Sequence, residues 1–298
     1  MKLGRYKKWE LSGHILFIIM AFLAIIPFVL LIISSFSAEQ SVVRNGYSFF
    51  PEKLSLAAYQ YIFDQWEMIG SGYLVTIIVT CVGTFFGTTM AALIGWTLSR
   101  KHLPGRSMLL FIVTFTMMFH GGLTAQYIIY TQIFHLKNTI LGLLIPNLML
   151  NGYFIMTFRN YFENSIPGTL LEAAKIDGAS EVKTFFKIVL PISGPIIITI
   201  GLPLALMYWN DWTNGLYYLS HDSKLQSIQT ILNNINENIK FLQSNDLGNA
   251  ASALSTAELP STTIRMAMAV VGILPIILVF PFLQKWLVRG MTEGAVKE

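Results

Sequence analysis

Six stretches of the chain are apolar almost without interruption, with polar and charged residues gathered between them. They run His14–Phe36, Ser71–Leu98, Ser107–Tyr130, Asn138–Phe158, Pro191–Trp212 and Ile264–Leu287. Each is long enough to carry a helix across the hydrocarbon core, which takes roughly 20 predominantly apolar residues. In lipid the backbone satisfies its own polar groups only as a helix or as a closed barrel, and runs this long and continuous exclude the barrel. The pattern predicts an all-α polytopic membrane protein with six transmembrane helices. It divides the chain into an N-terminal segment 1–13, a first helix 14–36, a segment 37–70, a core 71–290 and a tail 291–298. The core holds the other five helices and two long loops, 159–190 and 213–263.

The first block follows Lys2, Arg5, Lys7 and Lys8, a basic start like that of a secretory signal peptide. A signal-peptide apolar region runs to about 15 residues and ends at a small-residue cleavage site. The block here is longer and has no convincing site of that kind, so it reads as a retained helix.

Composition agrees with the pattern: 54% of the residues are apolar and 12% charged, against about 25% charged in soluble domains. The formal charge of +4 does not point to nucleic acid once the basic residues are sorted by side of the membrane. With the amino terminus inside, residues 99–106, 159–190 and the tail from Gln284 lie inside with it, and these four regions hold 14 of the 20 Lys and Arg. That is the positive-inside asymmetry; it predicts a multi-pass cell-membrane protein with both termini cytoplasmic. Cys81 is the single cysteine, which excludes an intrachain disulfide or a thiolate metal cluster. No G-x-x-x-x-G-K, H-E-x-x-H or G-x-S-x-G string occurs. The expectation is a chain without a catalytic centre, metal or cofactor of its own; any nucleotide chemistry would belong to a partner.

Within the second block, Gly83, Gly87, Ala91 and Gly95 recur every fourth residue and put small residues on one helix face. Such faces let helix backbones approach closely in lipid, either within the chain or against another subunit. The third block is interrupted at Gly121-Gly122 and ends with Gln126 and Tyr127, which predicts an irregular outer part. Irregular backbone at membrane depth is buried in protein or lines water. His120, Gln126 and Tyr127 are therefore candidates for a pathway wall, with hydrogen-bonded packing as the plainer role for His120. Asn147 and Asn151 stand one helical turn apart, predicting two amides on one face that meet either a neighbouring helix or a polar cavity. Trp209 and Trp212 flank Asn210 and Asp211 at the end of the fifth block; aromatic faces beside polar groups suit sugars, while Trp at a membrane boundary is more often an anchor.

The loop 159–190 contains EAAKIDGASEVKTFFKIVLP from Glu172 to Pro191. Thr169 and Glu172 have the spacing of a capping box, and Leu170, Leu171 and Ala174 share a face. Gly178 ends that short helix, since glycine takes the left-handed conformation that follows a helix terminus. Ser180 caps a second helix and Glu181 favours its positive end. A helix, a glycine bend and a second helix result.

This string resembles the cytoplasmic loop shared by the permeases of ABC importers. Glu172, Ala173, Ala174, Asp177, Gly178, Ala179, Phe185, Ile188, Leu190 and Pro191 fall on family positions. The likeness extends over most of the chain and is sharpest to the carbohydrate-uptake group, in particular to the smaller maltose-transporter permease subunit. It is carried there by Gly121-Gly122-Leu123 before Tyr127, Leu141 with Pro146, Trp209–Trp212, Pro275, Pro281-Phe282, Gln284-Lys285, Gly290 and Gly294–Lys297. Glu298 departs from the glycine common in related tails. The resemblance implies a type I ABC importer permease fold and a coupling helix seated in a cleft of a separate ATPase that binds ATP and Mg, with Glu172, Ala173, Ala174, Asp177, Gly178, Ala179, Leu190 and Pro191 as the coupling residues. It further implies a heterodimer with a second permease, two ATPase subunits, an extracytoplasmic solute-binding protein, and a sugar or oligosaccharide moved by alternating access.

In the loop 213–263, Leu225, Ile228, Leu232, Ile235, Ile239 and Leu242 repeat at helical intervals, predicting an amphipathic helix on the outer membrane boundary or on a partner. A permease for peptides, polyamines or anions is the nearest alternative function. A secondary transporter fits less well, because two similar halves and intramembrane coupling charges are not evident.

Overall fold

The computed structural model describes residues 3–243 and 261–295. Among them the regular structure is helical, and the extended pairing is a single antiparallel bridge between Ser37 and Leu54. Three helices are each long and apolar enough to cross a bilayer: α1 (Leu3–Ser35), α4 (Trp66–Ser99) and the last helix, α14 (Ser261–Ala295). The other three apolar blocks fold as bent pairs. These are α5 (Arg106–Met118) with α6 (Gly122–Ile133) at 119°, α7 (Leu141–Met149) with α8 (Gly152–Ser165) at 57°, and α10 (Glu181–Ile192) with α11 (Gly194–Trp209) at 81°. Counting each pair as one span gives the six expected crossings. Shorter helices complete the order: α2 (Glu39–Asn45), α3 (Ala57–Asp64), α9 (Gly168–Ile176), α12 (Thr213–Tyr218) and α13 (Ile228–Gln243). Residues 244–260 of the second loop and the tail from residue 296, including Lys297 and Glu298, lie outside the described residues.

Each bend has a local cause. Between α5 and α6, Phe119 is extended and Gly122 has φ +80°, a left-handed backbone that glycine adopts without a Cβ penalty. In the α7 region Pro146 turns to ψ 123° and Asn147 to φ 62°. Proline brings no N–H to the helical ladder, and asparagine is among the few residues that visit the left-handed region. Between α10 and α11 the helix tightens at buried Ser193, whose hydroxyl donates to the Val189 carbonyl at 2.7 Å, just ahead of Gly194-Pro195.

The chain divides into two compact units: Met1–Ile69 with Leu232–Ile276, and Gly70–Ile231 with Ile277–Glu298. In the first, α1 is apolar and exposed on all sides from Ile15 to Ile25. The Glu39 carboxylate accepts from the Thr262 and Thr263 amides and from the Thr263 hydroxyl, all at 2.8 Å. It thereby caps α14 with a residue more than two hundred positions away in the sequence.

The second unit holds the main apolar cluster, drawn from α4, α7, α8, α10 and α11. The small-residue stripe of α4 is its seam, and it packs within the chain. A methyl group on Gly95 would lie 2.6 Å from the Phe158 Cβ and 2.9 Å from the Arg159 amide nitrogen. One on Gly87 would lie 2.8 Å from Leu204, one on Gly83 would strike the Tyr208 ring, and Ala91 is buried. Gly72 likewise admits α13: a methyl there would meet Ile231 at 2.5 Å, and the Ile228 amide donates to the Thr76 hydroxyl at 2.8 Å. The amphipathic helix of the second loop therefore exists, and at its start Ile228 and Ile231 are buried within the chain's own fold.

Candidate functional site

Two regions gather the residues singled out in the sequence. The first is a foot made by α9 and the start of α10. Helix α9 begins at Gly168 after Pro167, with no side-chain cap. Thr169 is thus already inside the helix, and the Thr169–Glu172 capping box does not form. The far end follows expectation closely: the Ala179 amide donates to the Ala174 carbonyl at 2.9 Å and the Gly178 amide to the Lys175 carbonyl at 3.1 Å, with Gly178 at φ +72°. This pair of bonds is the Schellman arrangement that satisfies orphan carbonyls at a helix end. Ser180 then accepts from the Lys183 amide at 3.3 Å and caps α10.

The foot has two faces. Ala174, Thr184 and Phe185 are buried and Leu171 is packed against the core. Glu172, Ala173, Lys175, Ile176, Asp177 and Gly178 are exposed, Ala179 and Leu190 half-buried, and Pro191 exposed. Leu170 parts from Leu171 and Ala174 by facing outward. Ala174 therefore permits close approach to its own chain, and Ala173 carries the small outward surface. What sequence reasoning missed is the apolar content of that surface: Ile176 is 86% exposed and Val182 68%, with Phe186 also bare. The signal was present, since Ile176 interrupts the polar run Lys175, Asp177, Gly178.

Rings and charges root the foot. Phe185 lies 5.9 Å from Trp96 and 6.3 Å from Phe162, and Trp96 and Phe162 meet edge to face at 5.8 Å. Arg100 sits 4.4 Å over the Trp96 ring and pairs with Glu181 at 3.4 Å. Beside them the Glu163 carboxylate gathers Arg106 at 3.4 Å, Arg159 and Lys101, while the Arg106 Nε donates to the Leu98 carbonyl at 2.8 Å. These bonds fasten together the ends of α4, α5, α8 and α10 nearest the foot.

The second region is the broken-helix wall. Residues 122–133 are helical, so the outer part of the third span is turned aside at the glycine pair rather than irregular. His120 is exposed, Gln126 and Tyr127 are half-buried, and Tyr127 stacks on Tyr218 at 6.2 Å. Asn147 and Asn151 do not share a helix face: the left-handed turn at Asn147 leaves it exposed, while Asn151 caps α8 by accepting from the Tyr153 amide at 2.9 Å. Asp211 caps α12, accepting from the Thr213 and Asn214 amides at 3.1 and 3.2 Å. Asn210 donates to the Leu206 carbonyl at 2.9 Å, Trp209 is half-buried and Trp212 exposed. Buried Asn214, unremarked in the sequence, donates to the Pro146 carbonyl at 3.1 Å and props the α7 kink. The described residues hold no group of three or more metal-binding side chains.

The all-α fold of straight and broken membrane helices is that of the type I importer permeases, as both the family profile and a solved relative show. The chain belongs to the family of binding-protein-dependent transport system inner membrane components, whose profile matches residues 83–293. It is 36% identical over 277 residues to the polygalacturonan/rhamnogalacturonan transport system permease protein YtcP of Bacillus subtilis, covering 93% of this chain and 94% of that one. It is 28% identical to the arabinooligosaccharides transport system permease protein AraQ of Halalkalibacterium halodurans, covering 97% and 96%. Among solved structures it is similar to a chain of a bacterial ABC transporter involved in the import of the acidic polysaccharide alginate, at TM-score 0.76 and 27% identity over 94% of this chain and 96% of that one.

Proposed function

We propose that this chain forms half of the translocation pathway of an ATP-driven importer for a sugar or oligosaccharide, and that its foot docks an ATPase carried on another chain. The observation that carries this reading is the division of the foot. One face is fixed by Ala174, Thr184 and Phe185 in the core, and the other bares Ile176 beside Ala173 and Gly178. Clustered exposed apolar side chains on a polar element mark a surface to be covered. Glu172 and Asp177, exposed on the same face, add charge to the contact. ATP and Mg belong to the docked subunit, and this chain is not itself an enzyme.

In the full assembly the chain pairs with a second, different permease, two ATPase subunits and a solute-binding protein. The distribution of Lys and Arg supports a cytoplasmic position for both termini and the foot. Closure of the ATPase pair moves the two docked feet, and the spans exchange an outward for an inward opening, a switch between two discrete packings. His120, Gln126, Tyr127, Asn147, Trp209 and Asn210 are the pathway candidates, whereas Asn151 and Asp211 serve the wall as helix caps. The named substrates of the relatives, all saccharide polymers or oligomers, favour a sugar over a peptide or polyamine.

The test is reconstitution with the ATPase and second permease, measuring transport of labelled oligosaccharides, transport of labelled peptides, and ATP hydrolysis. Ile176→Glu, Glu172→Lys and Gly178→Pro should leave the chain in the membrane and uncouple hydrolysis from transport. Unchanged assembly and coupling in all three would reject the docking role; uptake of peptides alone would reject the sugar.

A further inference from the structure

Helix α4 carries Thr76, Thr80, Thr84 and Thr88 at a spacing of four, so these threonines stand on one face beside the glycine seam. The first is satisfied: its hydroxyl donates to the Gly72 carbonyl at 2.8 Å and accepts from the Ile228 amide at 2.8 Å. The next three are not. Their hydroxyl oxygens are enclosed by the chain itself and have no hydrogen-bond partner among the described residues. Threonine inside a helix ordinarily turns its hydroxyl back onto the carbonyl one turn earlier, and elsewhere in this chain it does so. Thr97, Thr157 and Thr199 donate to the Leu93, Tyr153 and Pro195 carbonyls at 2.9, 2.8 and 2.8 Å.

Position makes the exception costly. Thr80 to Thr88 straddle the middle of α4, one of the helices long and apolar enough to cross a bilayer. A hydroxyl shut away from water without a hydrogen bond is expensive, and a buried polar group left in that condition calls for a bound water or ion. Because the oxygens are already enclosed by this chain's own atoms, neither lipid nor a second subunit laid on its outer surface reaches them. Thr84 and Thr88 face Gly201 of α11, where an added methyl would come no nearer than 3.8 Å to the Thr88 hydroxyl and 4.0 Å to the Thr84 methyl. The seam is looser there than at Gly87, where the methyl would meet Leu204 at 2.8 Å, and Gly201 brings no side chain to bond the hydroxyls. Side chains four apart on a helix stand about 5–6 Å apart at Cβ, an interval that one water spans with two hydrogen bonds of about 2.8 Å. Neutral hydroxyls, which both donate and accept, suit water rather than an ion.

We propose that the seam between α4 and α11 holds ordered water bridging Thr80, Thr84 and Thr88 in turn, so that the middle of the second span is wet inside the protein. This rests on the chain crossing the membrane and is independent of what it transports. The experiment assembles isotope-labelled-threonine chain with unlabelled partner subunits in lipid vesicles and follows polarisation transfer from water protons to each threonine by magic-angle-spinning NMR. Thr76→Ser, Thr80→Ser, Thr84→Ser and Thr88→Ser, which keep the hydroxyl, assign the signals. Transfer should reach Thr80, Thr84 and Thr88 several-fold faster than Thr76, which is buried but already bonded. Thr84→Val, of the same shape but without the hydroxyl, breaks both bridges and should bring transfer to Thr80 and Thr88 down to the Thr76 level. Transfer to all three as slow as to Thr76 in the parent chain means a dry seam whose hydroxyls turn back onto their own helix, and overturns the proposal. Undiminished transfer to Thr80 and Thr88 in Thr84→Val overturns it as well, since the water is then not held between the hydroxyls. The comparison with Thr76 needs no valine variant, so the test stands even where Thr84→Val fails to fold.

Discussion

Gly95→Ala tests whether the α4 seam is set by contact rather than by helix preference. Alanine is the better helix former, by about 0.5–1 kcal/mol over glycine inside a helix, so local propensity alone predicts a more stable protein. The structure predicts the reverse. The new methyl would lie 2.6 Å from the Phe158 Cβ, 2.9 Å from the Arg159 amide nitrogen and 3.0 Å from the Ile155 carbonyl oxygen. None of these is the free end of a side chain, so α8 must move bodily away. Overpacking costs about 1–3 kcal/mol, and a clash with a Cβ and backbone atoms belongs in the upper part of that range, about 2–3 kcal/mol, which leaves a net loss of about 1–2.5 kcal/mol after the propensity gain. At roughly 2–4 °C per kcal/mol for a chain of this order of size, the thermal midpoint should fall by about 2–10 °C. Gly201→Ala is the matched control, because its methyl would meet only the Thr88 hydroxyl at 3.8 Å and the Thr84 methyl at 4.0 Å, ordinary contacts. The assay is the loss of the monodisperse size-exclusion peak with temperature in one detergent. A Gly95→Ala protein as stable as the parent, or a Gly201→Ala protein that loses as much, refutes the reasoning.

Glu39→Gln should weaken the cap on α14, and more at neutral than at acid pH. Burial raises the Glu39 carboxyl, but hydrogen bonds from Thr263 and Thr262 outweigh it and hold the group below the ordinary 4.5. The stability it contributes is present above that value and disappears as pH falls through the lower folded one, so the midpoints of parent and variant should converge on acidification. Tyr208→Phe removes the 2.8 Å bond from its hydroxyl to the Leu144 carbonyl, with an expected loss of about 0.5–1.5 kcal/mol in the same thermal assay. Asn214→Ala withdraws the donor from the buried Pro146 carbonyl and should cost about 1–3 kcal/mol, with faster proteolysis near the α7 kink. Gly178→Ala meets no atom within 4 Å but keeps φ +72°, so strain of about 1–2 kcal/mol should speed amide exchange at the foot without moving the global midpoint.

The six crossings were legible because each depends on a property that adds along the chain, apolar length. The bends were legible only in part. Gly121-Gly122 announced its own break, while Pro146 was passed over and Asn147 and Asn151 were set on one continuous helix. That inference assumed an unbroken helical period, and the period does not survive a residue without an N–H followed by a left-handed one. At the foot, the Gly178 bend and the Ser180 cap were readable because both are set by a few adjacent residues. The Thr169 cap failed because the chain already enters the helix behind Pro167. What lies opposite a residue was not readable at all: the spacing of Gly83, Gly87, Ala91 and Gly95 identified a close-packing face, but only coordinates show that Tyr208, Leu204 and Phe158 fill it.

The rings around Trp96 bear on how the short foot is joined to the long spans. Phe185, on the buried face of the foot, touches rings from α4 and α8, and those two helices meet at Gly95 with no slack for a methyl group. On the proposed docking, a push on the foot would find no soft layer in which to dissipate: it would tilt whole rods, as a key turns a lock rather than dents it. A cavity cut at Phe185 or Trp96 would leave the grip on the foot intact while the spans above ceased to follow it.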